Sequence, residues 1–80
     1  MAVRLVFLGR LADLTGAAER EVAAPLDWSG LLDALQAELG GWLASDKVRL
    51  ALNGTVLADK MALQAKDGDE VALLPPVSGG

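Results

Sequence analysis

The last two residues of the sequence, Gly79 and Gly80, are the ones best suited to covalent chemistry. A free carboxylate at Gly80 is an anion at neutral pH and therefore a poor electrophile. Adenylation gives such a carboxylate a good leaving group, after which a sulfur nucleophile forms a thiocarboxylate or an amine forms an amide. Because glycine has no Cβ, the pair is narrow enough to enter a partner's channel and leaves the carbonyl open to attack. The pair therefore predicts a C-terminus that is itself the reacting group.

Two prolines, Pro75 and Pro76, precede this tip and favour extended or polyproline backbone. Six residues from Pro75 onward reach about 20 Å when extended, which is far enough to enter a neighbouring active site. Leu74 lies on the outward side of the last predicted strand, so an apolar side chain is expected at the root of the tail. We therefore expect a folded domain over residues 1–74 and a flexible tail over residues 75–80.

The sequence contains neither cysteine nor histidine. It therefore offers no thiol nucleophile, no thiolate ligand and no imidazole base. The remaining candidates are carboxylates, hydroxyls and the lysines Lys47, Lys60 and Lys66, and none of them cluster at a spacing typical of a catalytic site. We expect a chain that is not catalytic alone and that binds no metal or cofactor.

The 80 residues suffice for one small domain, and their net charge of −4 argues against nucleic acid as a partner, because its phosphates would repel the chain. The basic residues are scattered and form no stripe. No apolar run approaches the roughly 20 residues of a membrane span, and the N-terminus lacks a signal-peptide pattern. We expect a cytoplasmic protein that binds neither nucleic acid nor membrane.

Hydrophobic patterns predict five strands and one long helix. Asp27 is placed to cap a helix over residues 28–39, and Gly40 with Gly41 is typical of a left-handed helix end followed by a connection over residues 42–46. Asn53 with Gly54 is the signal for a tight primed hairpin turn. The predicted strands cover residues 3–8, 19–24, 48–52, 55–57 and 70–74, with a short helical turn over residues 10–14.

This element order predicts an α+β protein in which one long helix crosses a mixed sheet, which is the ubiquitin-like β-grasp. In so small a domain, the aromatic residues Phe7, Trp28 and Trp42 are favoured as core rather than as partner contacts. Met61 and Leu63 are also expected to enter the core.

The run from Asp67 to Gly80, DGDEVALLPPVSGG, is the most specific motif in the chain. Together with residues 7–16 and the hairpin Leu52-Asn53-Gly54, it resembles the ubiquitin-like sulfur carriers, and among them the small subunits of molybdopterin synthase. The resemblance covers essentially the whole chain.

The resemblance implies that an activating enzyme uses ATP to adenylate Gly80 and that a sulfur donor converts it to a thiocarboxylate. The tail would then enter the large subunit of molybdopterin synthase, which carries the catalytic side chains in a two-plus-two heterotetramer. Sulfur would pass there to precursor Z, cyclic pyranopterin monophosphate, to build the molybdopterin dithiolene. The implied reacting residues are Gly79 and Gly80, and the implied partner contacts are Phe7, Arg10, Leu74, Pro75, Pro76, Val77 and Ser78.

Three other functions remain open. A sulfur carrier of thiamine biosynthesis shares the fold and the terminal glycines. A protein modifier would use Gly80 to form an isopeptide bond with a target lysine, and a β-grasp binding module would use no tail chemistry. The product formed on Gly80 distinguishes these functions.

Overall fold

The computed structural model describes residues 1–45 and 47–75 as a mixed five-stranded sheet, a two-stranded sheet and one long helix. The helices are α1 (Arg10–Thr15) and α2 (Trp28–Ala44), with a 3-10 turn over Lys60–Ala62. The predicted α+β β-grasp is confirmed. The strands are β1 (Ala2–Phe7), β2 (Glu19–Ala23), β3 (Leu26–Asp27), β4 (Arg49–Leu52), β5 (Thr55–Val56), β6 (Gln64–Ala65) and β7 (Glu70–Leu74).

The last strand, β7, lies at the centre of the larger sheet, whose order is β2-β1-β7-β4-β5. It runs parallel to β1 and antiparallel to β4. Leu73 is the common partner of Phe7 on one side and Leu50 on the other. The strand that leads into the tail is therefore hydrogen-bonded along both edges.

Helix α2 packs its apolar stripe against one face of this sheet. Leu31, Leu35, Leu39 and Leu43 follow one another every four residues, and all are buried. They meet inward residues of the three central strands, which alternate with outward ones as a half-covered sheet requires. The buried strand residues are Val3, Leu5, Phe7, Leu50, Val71 and Leu73, and Val48, just before β4, is buried with them.

Helix α2 continues past its predicted end at residue 39, so the predicted stop at Gly40 and Gly41 and the connection from residue 42 are wrong. Leu43 extends the apolar stripe by one more turn and is fully buried. Burying a leucine stabilises by about 2 kcal/mol, which together with the added helical hydrogen bonds outweighs about 0.5–1 kcal/mol for each helical glycine. The helix ends where the Ser45 backbone N–H and hydroxyl both donate to the Trp42 carbonyl, at 3.2 and 2.8 Å.

Two short-range predictions are confirmed. The Asp27 carboxylate caps α2 by accepting from the backbone N–H of Gly30 at 2.8 Å. Asn53 and Gly54 have φ angles of 51° and 88°, as a primed hairpin turn requires.

Met61 does not enter the core, contrary to the prediction, because 65% of it is exposed. The segment forms a 3-10 turn, in which side chains three residues apart share a face. Lys60 and Leu63 therefore point inward while Met61 points to solvent. Leu63 is buried as predicted, and Lys60 donates to the backbone carbonyls of Ser45 and Val48.

The small sheet of β3 and β6 was not predicted. It pairs Leu26 with Ala65, and both residues are buried under the start of α2. No helix in the described part of the chain is long and apolar enough to cross a membrane.

Candidate functional site

The tail leaves the sheet at Leu74, the last residue of β7. The backbone N–H of Leu8 donates to the Leu73 carbonyl at 3.2 Å, and Arg49 pairs with Leu74 across the β4–β7 ladder. Neighbouring strands thus hold the backbone almost to the first proline. We call Leu74 and Pro75 the tail root.

Gly9 makes a close approach to this root. Its φ of 55° and ψ of −130° form a conformation that residues with side chains rarely adopt. A Cβ on Gly9 would lie 3.3 Å from Cγ of Pro75. The proline ring therefore packs directly on the backbone that follows β1, and glycine at position 9 leaves the room for it.

Three of the predicted site residues lie close together in the structure. Leu74 and Pro75 form the tail root, and Arg10 begins α1 immediately after Gly9. The other predicted residues, Pro76, Val77, Ser78, Gly79 and Gly80, lie outside the described residues, so the boundary between domain and tail stays a prediction.

Phe7 does not belong to the surface around the tail root. Only 2% of it is exposed, and the Arg20 guanidinium lies 5.7 Å from the centre of its ring. Its assignment as a partner contact is wrong, because the inward register of β1 places the ring in the core. The preference for Phe7 as core is confirmed, whereas Trp28 and Trp42 are only half-buried.

The sheet face opposite α2 carries a row of small and apolar side chains. Register pairs Val6 with Ala72, Ala72 with Ala51, and Ala51 with Val56 across four strands. Paired residues share a face, and Leu74 follows two residues after Ala72 on that same face. We call Val6, Ala51, Val56, Ala72 and Leu74 the open face.

The open face has no covering element within the described residues. Helix α1, β3 and the 3-10 turn all contact α2 and therefore lie on the other side of the sheet. Val56 is 51% exposed, Val6, Ala72 and Leu74 are half-buried, and Ala51 is buried at 6% exposure, but none of the five belongs to the core cluster. The predicted outward direction of Leu74 is confirmed, and its leucine side chain borders a larger apolar surface.

The end of β7 opposite the tail is acidic and closely hydrogen-bonded. Hydrogen bonds to the Asp69 carboxylate, from the Lys66 backbone N–H at 2.8 Å and the Asn53 side-chain amide at 3.1 Å, hold the pKa of Asp69 below its ordinary value of 3.8. Desolvation opposes these two hydrogen bonds by raising the pKa of Asp69, and the Lys66 charge lowers that pKa by less than desolvation raises it. Asp67 at the same end accepts from the backbone N–H of Ala2 at 2.9 Å.

Sequence reasoning missed two residues near the tail root, Arg49 and Val56. Alternation along residues 48–52 indicates that Arg49 points outward, but nothing in the sequence shows which strand lies beside β4. Pairing with β7 is what brings Arg49 next to Leu74. Within the described residues, no three acidic side chains lie close enough to hold a metal ion.

Comparison with known proteins gives consistent likenesses. The sequence profile of the ThiS family matches residues 5–80. The molybdopterin synthase sulfur carrier subunit of Escherichia coli (strain K12) is 33% identical over 82 residues, with 98% of this chain and 99% of that protein covered.

Two solved structures are similar over the whole of both chains. One belongs to a complex of subunits 1 and 2 of the molybdopterin-converting factor from Helicobacter pylori 26695, with a TM-score of 0.70 and 31% identity over 100% of each chain. The other is SAMP1 from Haloferax volcanii, a small archaeal modifier protein, with a TM-score of 0.71 and 26% identity over 100% of each chain.

Proposed function

The chain belongs to the ThiS family, and on that premise we propose that it is the sulfur carrier subunit of a molybdopterin synthase. The observation that carries the proposal is the nearly end-to-end likeness to the Escherichia coli subunit of that name. The likeness to a subunit of the Helicobacter pylori molybdopterin-converting factor supports it.

The proposed reaction uses the Gly80 carboxylate in three steps. The carboxylate attacks the α-phosphorus of ATP and displaces pyrophosphate, which gives an acyl-adenylate. A sulfur donor then displaces AMP and leaves a thiocarboxylate. Transfer of this sulfur to precursor Z, with an oxygen from water replacing it on the carbonyl carbon, regenerates the Gly80 carboxylate.

The described residues supply position rather than reacting groups. Hydrogen bonds along β7 and the packing of Pro75 on Gly9 fix the direction in which the tail departs. The open face offers an apolar surface beside that departure point, which suits docking to a partner. The narrow tip at Gly79 and Gly80 can then enter a channel that a bulkier end would not fit.

We assign the catalytic side chains to partners. An adenylating activating enzyme supplies the ATP site, and the large subunit of molybdopterin synthase receives the loaded tail in a two-plus-two heterotetramer. Bound metal or cofactor on this chain plays no part in the proposal.

Intact-mass measurement tests the proposal. The chain is incubated with its activating enzyme, ATP and a sulfur source, and we expect a mass gain equal to the difference between sulfur and oxygen. Deletion of Gly80 should abolish the gain, whereas Asp33→Asn, a change on the exposed side of α2, should retain it. An unchanged mass for the intact chain would refute the tail chemistry.

A protein modifier is the second candidate, favoured by the likeness to SAMP1 of Haloferax volcanii. It predicts a gain equal to the mass of a second protein, joined through an isopeptide bond to a lysine. A thiamine carrier would give the same thiocarboxylate, so the two pathways are separated by whether deletion of Gly80 abolishes molybdoenzyme activity or thiamine synthesis.

A further inference from the structure

Two arginines stand on opposite sides of the tail root. Arg49 is the cross-strand partner of Leu74, and Arg10 follows Gly9, whose backbone lies against Pro75. Strand β7 lies between β1 and β4, so one arginine comes from each flank. Both side chains are exposed.

Neither of these flanking arginines makes an ion pair with a carboxylate of the described residues, which distinguishes them from the other two arginines. The Arg4 guanidinium nitrogens Nε and Nη1 lie 3.7 Å from Oε1 of Glu19 and 3.7 Å from Oε2 of Glu70, respectively. Arg20 is paired with Glu38, and that pair is partly buried. Within residues 1–45 and 47–75, no ion pair neutralises the charges of Arg10 and Arg49.

Charge is unevenly distributed along β7. Asp67 and Asp69 lie in the turn before the strand, and Glu70 is its first residue, so the end remote from the tail is acidic. The tail end carries the two arginines instead, with exposed Lys47 nearby in sequence. Two exposed arginines thus flank the point where the tail leaves the sheet in a chain with a net charge of −4, although the exposed Asp13 lies three residues after Arg10 and Asp59 lines the same cavity as Arg49.

We propose that Arg10 and Arg49 form a cationic clamp that binds carboxylates on the rim of the channel into which a partner protein takes the tail. This inference rests on the proposed function, because it requires such a partner. Arginine suits the role because its planar guanidinium binds carboxylates through two parallel hydrogen bonds.

The length of the tail favours contact between the two arginines and the rim of the partner's channel over contact with ATP. Six residues separate Leu74 from Gly80, and an extended chain of that length spans about 20 Å. If the tail is extended in the active site, guanidinium groups at the tail root lie too far from the Gly80 carboxylate to contact ATP. Their contribution is to steer and orient the approach, which is an effect on association that salt weakens.

The test uses steady-state pyrophosphate release by the activating enzyme, with the intact chain as varied substrate. At about 0.05 M salt we expect the double variant R10E/R49E to lower kcat/KM for the carrier by about 10-fold or more with kcat unchanged, and at about 0.5 M salt by about 2-fold. Arg49→Lys retains the charge but loses the two parallel hydrogen bonds, so its kcat/KM should lie between those of the wild type and of R10E/R49E.

Lys66→Glu is the matched control for the single variant R49E, because each reverses one exposed cation and Lys66 lies at the acidic end of the sheet. It should change kcat/KM by less than about 2-fold. Circular dichroism verifies that each variant is folded, and the wild-type chain provides a second measurement, since its own kcat/KM should fall as salt rises.

The clamp is overturned if R10E/R49E behaves like Lys66→Glu at low salt, if its loss is equal at both salt concentrations, or if only the KM for ATP changes. In each of these cases wild-type pyrophosphate release continues, so the proposed function survives. Absence of pyrophosphate release with the wild-type chain would instead refute the proposed function and the clamp together.

Discussion

Asp69 joins the two turns at the acidic end of the sheet. Its carboxylate accepts hydrogen bonds from the Asn53 side-chain NH2 group and from the Lys66 backbone N–H. The side-chain oxygen of Asn53, Oδ1, in turn accepts from the backbone N–H of Glu70 at 2.9 Å. The hairpin turn after β4 is therefore bonded to the turn that leads into β7. These side-chain hydrogen bonds add to the backbone bond from Asn53 N–H to the Glu70 carbonyl at 2.8 Å and to the β4–β7 ladder in holding the register of the two strands.

We predict that Asp69→Asn destabilises the protein at pH 7 and has progressively less effect in acid. The folded pKa of Asp69 lies below its unfolded value, so the unfolded state binds more protons between the two. The stabilisation is complete above pH 3.8 and is lost as the pH falls through the folded pKa. Urea unfolding of both proteins from pH 7 down to about 2 measures it.

Asp33→Asn serves as the control, since Asp33 is an exposed residue of α2. The difference in unfolding free energy between it and wild type should not follow the same pH profile. A constant difference for Asp69→Asn across the whole range would contradict the assigned hydrogen bonds.

Single residues were predictable where their role depends on near neighbours. Asp27 as a helix cap and Asn53 with Gly54 as a turn are local patterns, and the structure confirms them. Arg49 was not predictable, because its place beside Leu74 depends on pairing between strands distant in sequence. Phe7 was assigned to both core and partner surface, and only the register of β1 decides for the core.

At the scale of elements, the length of α2 shows that tertiary packing can override the local helix propensity of glycine, since the helix continues through Gly40 and Gly41. Gly41 is exposed within the helix, and a Cβ there would meet nothing within 4 Å. We predict that Gly41→Ala stabilises the protein by about 0.5–1 kcal/mol, because alanine loses less backbone entropy in a helix. Chemical denaturation measures the change in unfolding free energy, provided that its dependence on denaturant concentration is the same in both proteins.

Gly30→Ala is the matched comparison in the first turn of the same helix. A Cβ at Gly30 would lie 3.2 Å from Cδ1 of Leu26 and 3.3 Å from the capping oxygen of Asp27, so we expect less stabilisation or a net loss. If the helix ended in a left-handed glycine, as the sequence suggested, Gly41→Ala would destabilise instead.

Gly40 and Gly41 wrongly predicted a helix end, because the low helix propensity of glycine is a small effect compared with the free energy of burying an apolar side chain. One additional leucine, Leu43, outweighs it by completing the stripe that faces the sheet. The strands β3 and β6 were unpredictable for a related reason, since each is two residues long and neither has a periodic pattern. Long elements with regular patterns, β1 and β7 above all, were predicted within a residue or two.

At the scale of the whole molecule, the fold leaves one sheet face without a covering layer. We predict that Leu74→Ser weakens binding to the large subunit by about 10-fold, or about 1.4 kcal/mol, because it removes apolar area at the edge of the open face. Titration calorimetry of the isolated chain with the large subunit measures the dissociation constant.

Leu14→Ser is the control, because Leu14 is 41% exposed but lies on α1, on the opposite side of the sheet. Its binding should match that of the wild type. Equal weakening by both variants, or none by Leu74→Ser, would remove the open face from the interface.

The fold class was predictable because it follows from element order, whereas the reacting end, which rests on a terminal motif, stays a prediction. Neither requires knowledge of which strands pair. The open face does require it, since it consists of side chains from four strands that only the sheet order brings together, and the proposed clamp requires it as well, because Arg10 of α1 and Arg49 of β4 flank the tail root only through the pairing of β7 with β1 and β4. The partner surface is therefore a property of the topology rather than of any one segment.

The central place of β7 also determines how the domain responds to mechanical force. A partner that draws in the tail pulls along the strand, almost perpendicular to the hydrogen bonds that join β7 to β4. Such a load is shared among the bonds to both neighbouring strands and stretches them together, whereas an edge strand peeled sideways loses its bonds one at a time. We therefore expect the folded domain to resist a pull applied at the C-terminal end of β7.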